Sequence, residues 1–132
     1  MSKIDIIRRI ANTTEGRSEM GLPDEKIQVS EDGDGYSFIY TDGYIIIPES
    51  KLETVIIRNI LVSSLPEDYK IEITQVVTED NSFSTKCSIH NIRNHHTLSF
   101  SYGASHLEAT GKCLIEVLNL IKNNEVIFYG RD

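Results

Sequence analysis

The sequence has no tryptophan, two cysteines and three prolines, and it carries thirteen bases against twenty acids. It has no apolar run near the ~18 residues that a membrane-crossing helix requires. The longest apolar stretches, Tyr44–Ile47 and Val55–Ile57, are strand and helix material. The opening residues, MSKIDIIRRI, scatter charge among apolar positions and offer no small-residue cleavage site, so no signal peptide is expected. Cys87 and Cys113 lie far apart, on segments that read as buried. That usage points to free thiols in a reducing compartment, and hence to a cytoplasmic protein. Missing too are H-E-x-x-H, G-x-S-x-G, a phosphate loop and a dinucleotide fingerprint. Their absence points away from an enzyme, and no cofactor is expected.

What is present belongs to an ordinary soluble domain, with 39% hydrophobic and 25% charged residues. At 132 residues the chain is expected to form a single domain over 1–132, large enough for a core without staples. The net charge of −7 is unevenly spread. Between Glu15 and Glu53 stand ten acids and only Arg17, Lys26 and Lys51, a surplus equal to the whole imbalance. Such a sector repels nucleic-acid phosphates and attracts basic surfaces. Its blander reading is a solvated, solubilising region.

The stretch Tyr69–Leu120 organises the fold. Three runs alternate with period two and a run of period 3.6 follows, which predicts a three-stranded antiparallel meander under a helix. Ile71, Ile73, Phe83, Cys87, Ile89, Leu98, Phe100 and Tyr102 are the expected core positions. The expected wet face carries Lys70, Glu72, Thr74, Ser84, Lys86, Ser88, His90, His95, Thr97, Ser99 and Ser101. The closing helix starts at a capping box, Ser105 to Glu108. It shows a polar ladder of Glu108, Lys112 and Glu116. Its small residues Ala109 and Gly111 are expected to bring it close to the sheet.

Earlier in the chain, residues 2–12 read as a helix capped by Ser2 with Asp5. Asn12–Asp24 reads as a loop, and Lys26–Ser30 as a strand. Asp42-Gly43 between Tyr36–Thr41 and Tyr44–Ile47 signals a hairpin. Ser50 and Glu53 form a second expected capping box, opening a helix whose stripe is Leu52, Val55, Ile56 and Ile60. Glu125–Tyr129 is a candidate edge strand. The fold class is therefore α+β: an antiparallel three-to-six-stranded sheet with helices packed on one face. Residues 1–48 supply an N-terminal helix and hairpin, and 49–124 an αβββα unit. The repeated order, strands then S-x-L-E then helix, hints at two similar halves.

Residues 50–122 resemble a double-stranded-RNA-binding domain. The echoes are Leu65-Pro66 before Tyr69, Phe83 with Cys87 and Ile89, and Gly103, Ser105 and Ala109 at the last helix. The resemblance covers about half of the chain and implies helix, three antiparallel strands, helix. The family's lysine cluster falls here on His106, Leu107 and Thr110. Its minor-groove loop falls on the acidic Thr78–Ser82. RNA recognition by shape still needs phosphate contacts, so the resemblance implies the fold with RNA binding lost.

His90, His95, His96 and His106 invite a metal site with the cysteines. Cys87 and His90 differ by an odd number and should face opposite sides, so no metal is expected. His90 and His95 read as a cross-strand pair. Asp32-Gly33-Asp34-Gly35 lacks the twelfth-position acid of a calcium loop and reads as a tight turn. The functional expectation is a non-catalytic protein-binding module whose contacts are Glu31, Asp32, Asp34 and Asp42. Its partner is a protein with a basic surface. One form is a phage-type inhibitor that occupies the nucleic-acid site of another protein. An acidic secretion-type chaperone, taking a client segment along a sheet edge, is another. The rival is a nucleic-acid binder using Lys70, Lys86, His90 and His95. A small-molecule site near 13–24 is a third class, without a residue-level case. Nucleic acid is the less expected partner, no membrane is expected, and a homodimer is compatible with the pattern.

Overall fold

The structure, a computed structural model, describes residues 2–123. The expected strand at Glu125–Tyr129 lies outside them. The order is helix α1 (Lys3–Ala11), α2 (Thr14–Met20), strands β1 (Gln28–Asp32), β2 (Gly35–Tyr40) and β3 (Gly43–Pro48). Then come a helix of three pieces, α3 (Glu49–Lys51), a π-helical turn (Leu52–Ile56) and α4 (Ile57–Ser64). Strands β4 (Tyr69–Val77), β5 (Phe83–Asn91) and β6 (Thr97–Gly103) and helix α5 (His106–Lys122) complete the chain. The class is α+β, but the strands form two separate antiparallel meanders, β1-β2-β3 in front and β4-β5-β6 behind. Each is followed by a helix, the repeat that the sequence hinted at.

Helix α1 starts as expected, with both bonds of the Ser2–Asp5 capping box made. The segment read as a loop contains α2 instead. Thr13 caps it by accepting from Gly16 N–H at 2.9 Å, and Gly21 closes it in the left-handed region at φ 72°. A side chain at Gly16 would place its Cβ 1.8 Å from the Ile10 carbonyl oxygen, so the glycine that looked like a breaker is what lets α2 fold back on α1.

The expected Ser50–Glu53 box is not formed. The helix begins at Glu49 behind Pro48, which offers no side-chain cap, and Ser50 lies inside it. The next turn is widened: Ile57 N–H donates to the Leu52 carbonyl, five residues back. That extra residue rotates the stripe. Leu52, Ile56, Ile57, Ile60 and Leu61 are buried, while Val55, expected inside, faces out.

The largest correction lies in β6. Ile89 pairs with Ser99, but His90 pairs with Thr97, so Leu98 is an extra residue, a β-bulge. A one-residue slip flips every later side chain to the other face. Ser99 is therefore buried and Ser101 half-buried on the core side, while Phe100 is 55% exposed and Tyr102 turns outward with it. Phe83, also expected inside, is 70% exposed near the strand's start. Small side chains at 99 and 101 make room for α5. Ser99 Oγ donates to Cys113 Sγ at 3.7 Å, and the Cys113 thiol donates to the Cys87 carbonyl at 3.2 Å.

Helix α5 joins the two halves. Gly111 packs against α1 rather than the sheet: a Cβ there would stand 2.4 Å from Ile6 Cγ2. At its start Ser105 Oγ accepts from Glu108 N–H and donates to the Glu108 carboxylate, both at 3.3 Å, so the side chain answers the hydroxyl rather than the backbone. Lys112 leaves the expected polar ladder and donates to the Tyr102 carbonyl at 3.0 Å. One continuous buried cluster results, running from Ile6 and Phe38 through Leu52 and Ile60 to Cys87, Leu107 and Val117.

Candidate functional site

Among the described residues the front meander is covered on one face only. Tyr36, Phe38, Val29 and Ile47 are buried beneath it, and the register places Ile39 opposite Tyr44 and Ser37 opposite Ile46. Alternation then forces Ile39, Tyr44 and Ile46 outward. Tyr44 is 63% and Ile46 52% exposed. These three are neighbours on a two-strand surface and form an apolar strip in water. The clue in the sequence was Tyr44–Ile47 itself: an unbroken apolar run cannot hide both parities in a sheet covered on one side.

The four predicted acids bound this strip, at two separate ends. Asp32 opens the β1–β2 turn and Asp34 sits in it, with Gly33 at φ 57° making the turn. Glu31 precedes them, opposite Tyr36. Asp42 lies in the β2–β3 turn, about 20 Å away along the strands. All four are exposed. Among the described residues no ion pair or hydrogen bond engages their carboxylates, whereas most other acids of the sector are held. Glu49 accepts from Lys3 and from the Tyr36 hydroxyl, both at 3.1 Å. Asp24 pairs with Arg17 at 3.1 Å and Glu19 accepts from Asn59 at 3.0 Å. Glu25 accepts from Thr41 N–H, which holds its carboxyl below the usual range. The four predicted acids are thus free, and among the described residues of the sector only Glu15 shares that state. Burial and the Glu49 hydrogen bond push the Tyr36 phenol up to about 12, so Tyr36 stays protonated and keeps its bond across the neutral range.

The alternative site on the back meander is only partly assembled. Lys70 pairs with His90, and Lys86 stands on the same outer face. His95 does not join them. It sits in the β5–β6 turn at φ 60°, so the expected His90–His95 pair is absent and His90 faces Thr97. In its place the bulge brings Phe100 and Tyr102 to this face. Their rings meet edge-on at 6.1 Å, and the Lys86 ammonium lies 5.6 and 5.8 Å from the two centroids. Periodicity alone missed this cluster because it could not show the bulge.

Cys87 points into the core and His90 to the outer face, as parity required. Among the described residues no three His, Cys, Asp or Glu side chains come together as a metal site would need. The hydrogen bond to Cys113 and burial push the Cys87 thiol above its ordinary range. Of the positions matching the RNA-contacting cluster, Leu107 and Thr110 are buried. In the matching loop, Asp80 is held by Thr78 and Ser82, whose hydrogen bonds lower its carboxyl to about 2. Among the described residues no helix is long and apolar enough to cross a membrane. No protein-family model, no curated protein and no solved structure matches the chain.

Proposed function

We propose that the protein is a non-catalytic binding module whose acidic front sheet engages a basic protein partner. The observation that carries this reading is the set of free carboxylates, Glu31, Asp32, Asp34 and Asp42, at both ends of the exposed strip Ile39–Tyr44–Ile46. An interface with an apolar centre and a charged rim gains area from the first and orientation from the second. A competitor for the nucleic-acid site of another protein is one role that such a surface fits.

The test replaces all four acids with lysine and measures affinity for a lysine-rich peptide. Binding should be lost while the far-ultraviolet spectrum is unchanged. A control of equal net charge, Glu15, Glu67, Glu79 and Glu116→Lys, should retain it. Equal affinities for the two variants would sink the reading.

A second reading rests on Phe100, Tyr102 and Lys86. Exposed aromatics interleaved with cations on an antiparallel face suit stacking of single-stranded nucleic acid. Glu72 beside His90, 3.8 Å away, opposes it. A salt-dependent shift with single strands that Tyr102→Ala removes is its expected signature. Identical retardation of the variant would count against it.

A further inference from the structure

We propose that β3 is the docking strand, and that its free edge accepts an extended partner segment in which apolar and basic residues alternate. The inference rests on the acidic-module reading and names where and how that partner is held.

Among the described residues there are four edge strands, and three of them are guarded. β1 is flanked by α1, and its outward side chains Gln28 and Ser30 are polar. β4 carries Lys70 and Glu72 on its exposed positions. β6 lies under α5, with Lys112 already bonded to the Tyr102 carbonyl. Charged side chains and covering helices are the usual means of keeping a sheet edge from pairing with another chain. β3 has neither. Its residues are Gly43, Tyr44, Ile45, Ile46, Ile47 and Pro48, with no charge among them, and β2 is its main neighbour among the described residues. An uncharged edge of this kind offers backbone hydrogen bonds to an incoming strand, and the exposed Tyr44 and Ile46 offer that strand apolar contact.

Charge chooses the occupant. Asp42 precedes β3 and Glu49 follows it, with Asp34 beside Glu49, whose N–H donates to the Asp34 carbonyl at 3.0 Å. A second copy pairing antiparallel through β3 would set Asp42 of each chain toward Asp34 of the other, placing free acid against free acid at both ends, since Glu49 is already paired with Lys3. A segment bearing lysine or arginine meets opposite charge at both ends instead.

The probe is a peptide of alternating lysine and valine, about six residues long, the usual strand length. It is compared with the same peptide methylated on alternate backbone nitrogens, which keeps the charge and removes the ladder. With the full chain, hydrogen exchange should slow over Gly43–Ile47 and not over β4. The unmodified peptide should bind about tenfold more tightly, the equivalent of one or two net hydrogen bonds. Ile46→Ser, at an exposed position, should weaken the unmodified peptide several-fold and the methylated one less, because only the former seats its side chains in ladder register.

Equal binding of both peptides would overturn strand addition while leaving the acidic reading intact. Binding of neither would remove both. Protection of β3 without peptide, together with a doubled mass by light scattering, would assign the edge to a second copy and overturn the proposal.

Discussion

The two meanders share a topology and distribute their side chains in opposite ways. The front sheet keeps its large residues, Tyr36, Phe38 and Ile47, under cover, yet leaves an apolar strip and an uncharged edge in water. The back sheet puts small residues, Cys87 and Ser99, under its helix and turns Phe100 and Tyr102 outward beneath a lysine. The difference follows from what lies over each. Helix α5 packs along β5 and β6 over Cys87, Ile89 and Ser99, whereas the front sheet buries a phenylalanine. Strand order alone does not decide which side chains face water; in the back sheet the bulge at Leu98 does.

The sharpest way to break this contrast is to truncate one phenylalanine in each sheet. Phe38→Ala should cost about 3–5 kcal/mol in urea unfolding, as for a fully buried aromatic. Phe100→Ala should cost about 0.5 kcal/mol or less, as for an exposed site. Comparable losses would mean that β6 is not inverted. Next in size is Ser99→Leu, which puts a large side chain at a buried position that the alternation had assigned to the wet face. It should destabilise by about 1–3 kcal/mol, because α5 leaves no space for the larger side chain.

Gly111→Ala tests the junction that joins the halves. The methyl would meet Ile6 at 2.4 Å, a cost of about 1–3 kcal/mol that helix propensity offsets by about 1 kcal/mol. A net gain in melting temperature would show that α1 can yield.

The smallest effect is a dependence on pH. The Tyr36 phenol is raised from 10.0 to about 12 in the folded chain, so stability is full below pH 10. It should fall as pH rises toward 12, because the unfolded chain ionises first. Tyr36→Phe should flatten that limb of the melting curve.

Much of the scaffold was legible because it rests on local signals. The Ser2–Asp5 cap, the hairpin at 36–47, the β4–β6 runs and the apolar stripe of α5 each declare themselves in a few consecutive residues. What stayed hidden depends on tertiary contact. Gly16 and the polar residues of 14–20 read as loop because only the fold of α2 back onto α1 brings the Ile10 carbonyl, six residues earlier, against the glycine. Leu98 looks like any alternating apolar residue, and only pairing shows that it is the odd one out. The widened turn at Leu52–Ile56 has no composition of its own. For the candidate site, the acids could be named from charge bias alone, but their split into two ends and the strip between them needed the register of β2 on β3.

Cys87 and Cys113 are both fully enclosed, one on a strand and one on the helix above it. A soluble alkylating reagent can reach neither until those two elements part, so the speed of labelling becomes a stopwatch for that separation. The chain thus carries its own reporter of transient opening at the rear of the molecule, silent to events at the front edge. Following adduct formation by mass spectrometry would time one half of the protein while a partner occupies the other.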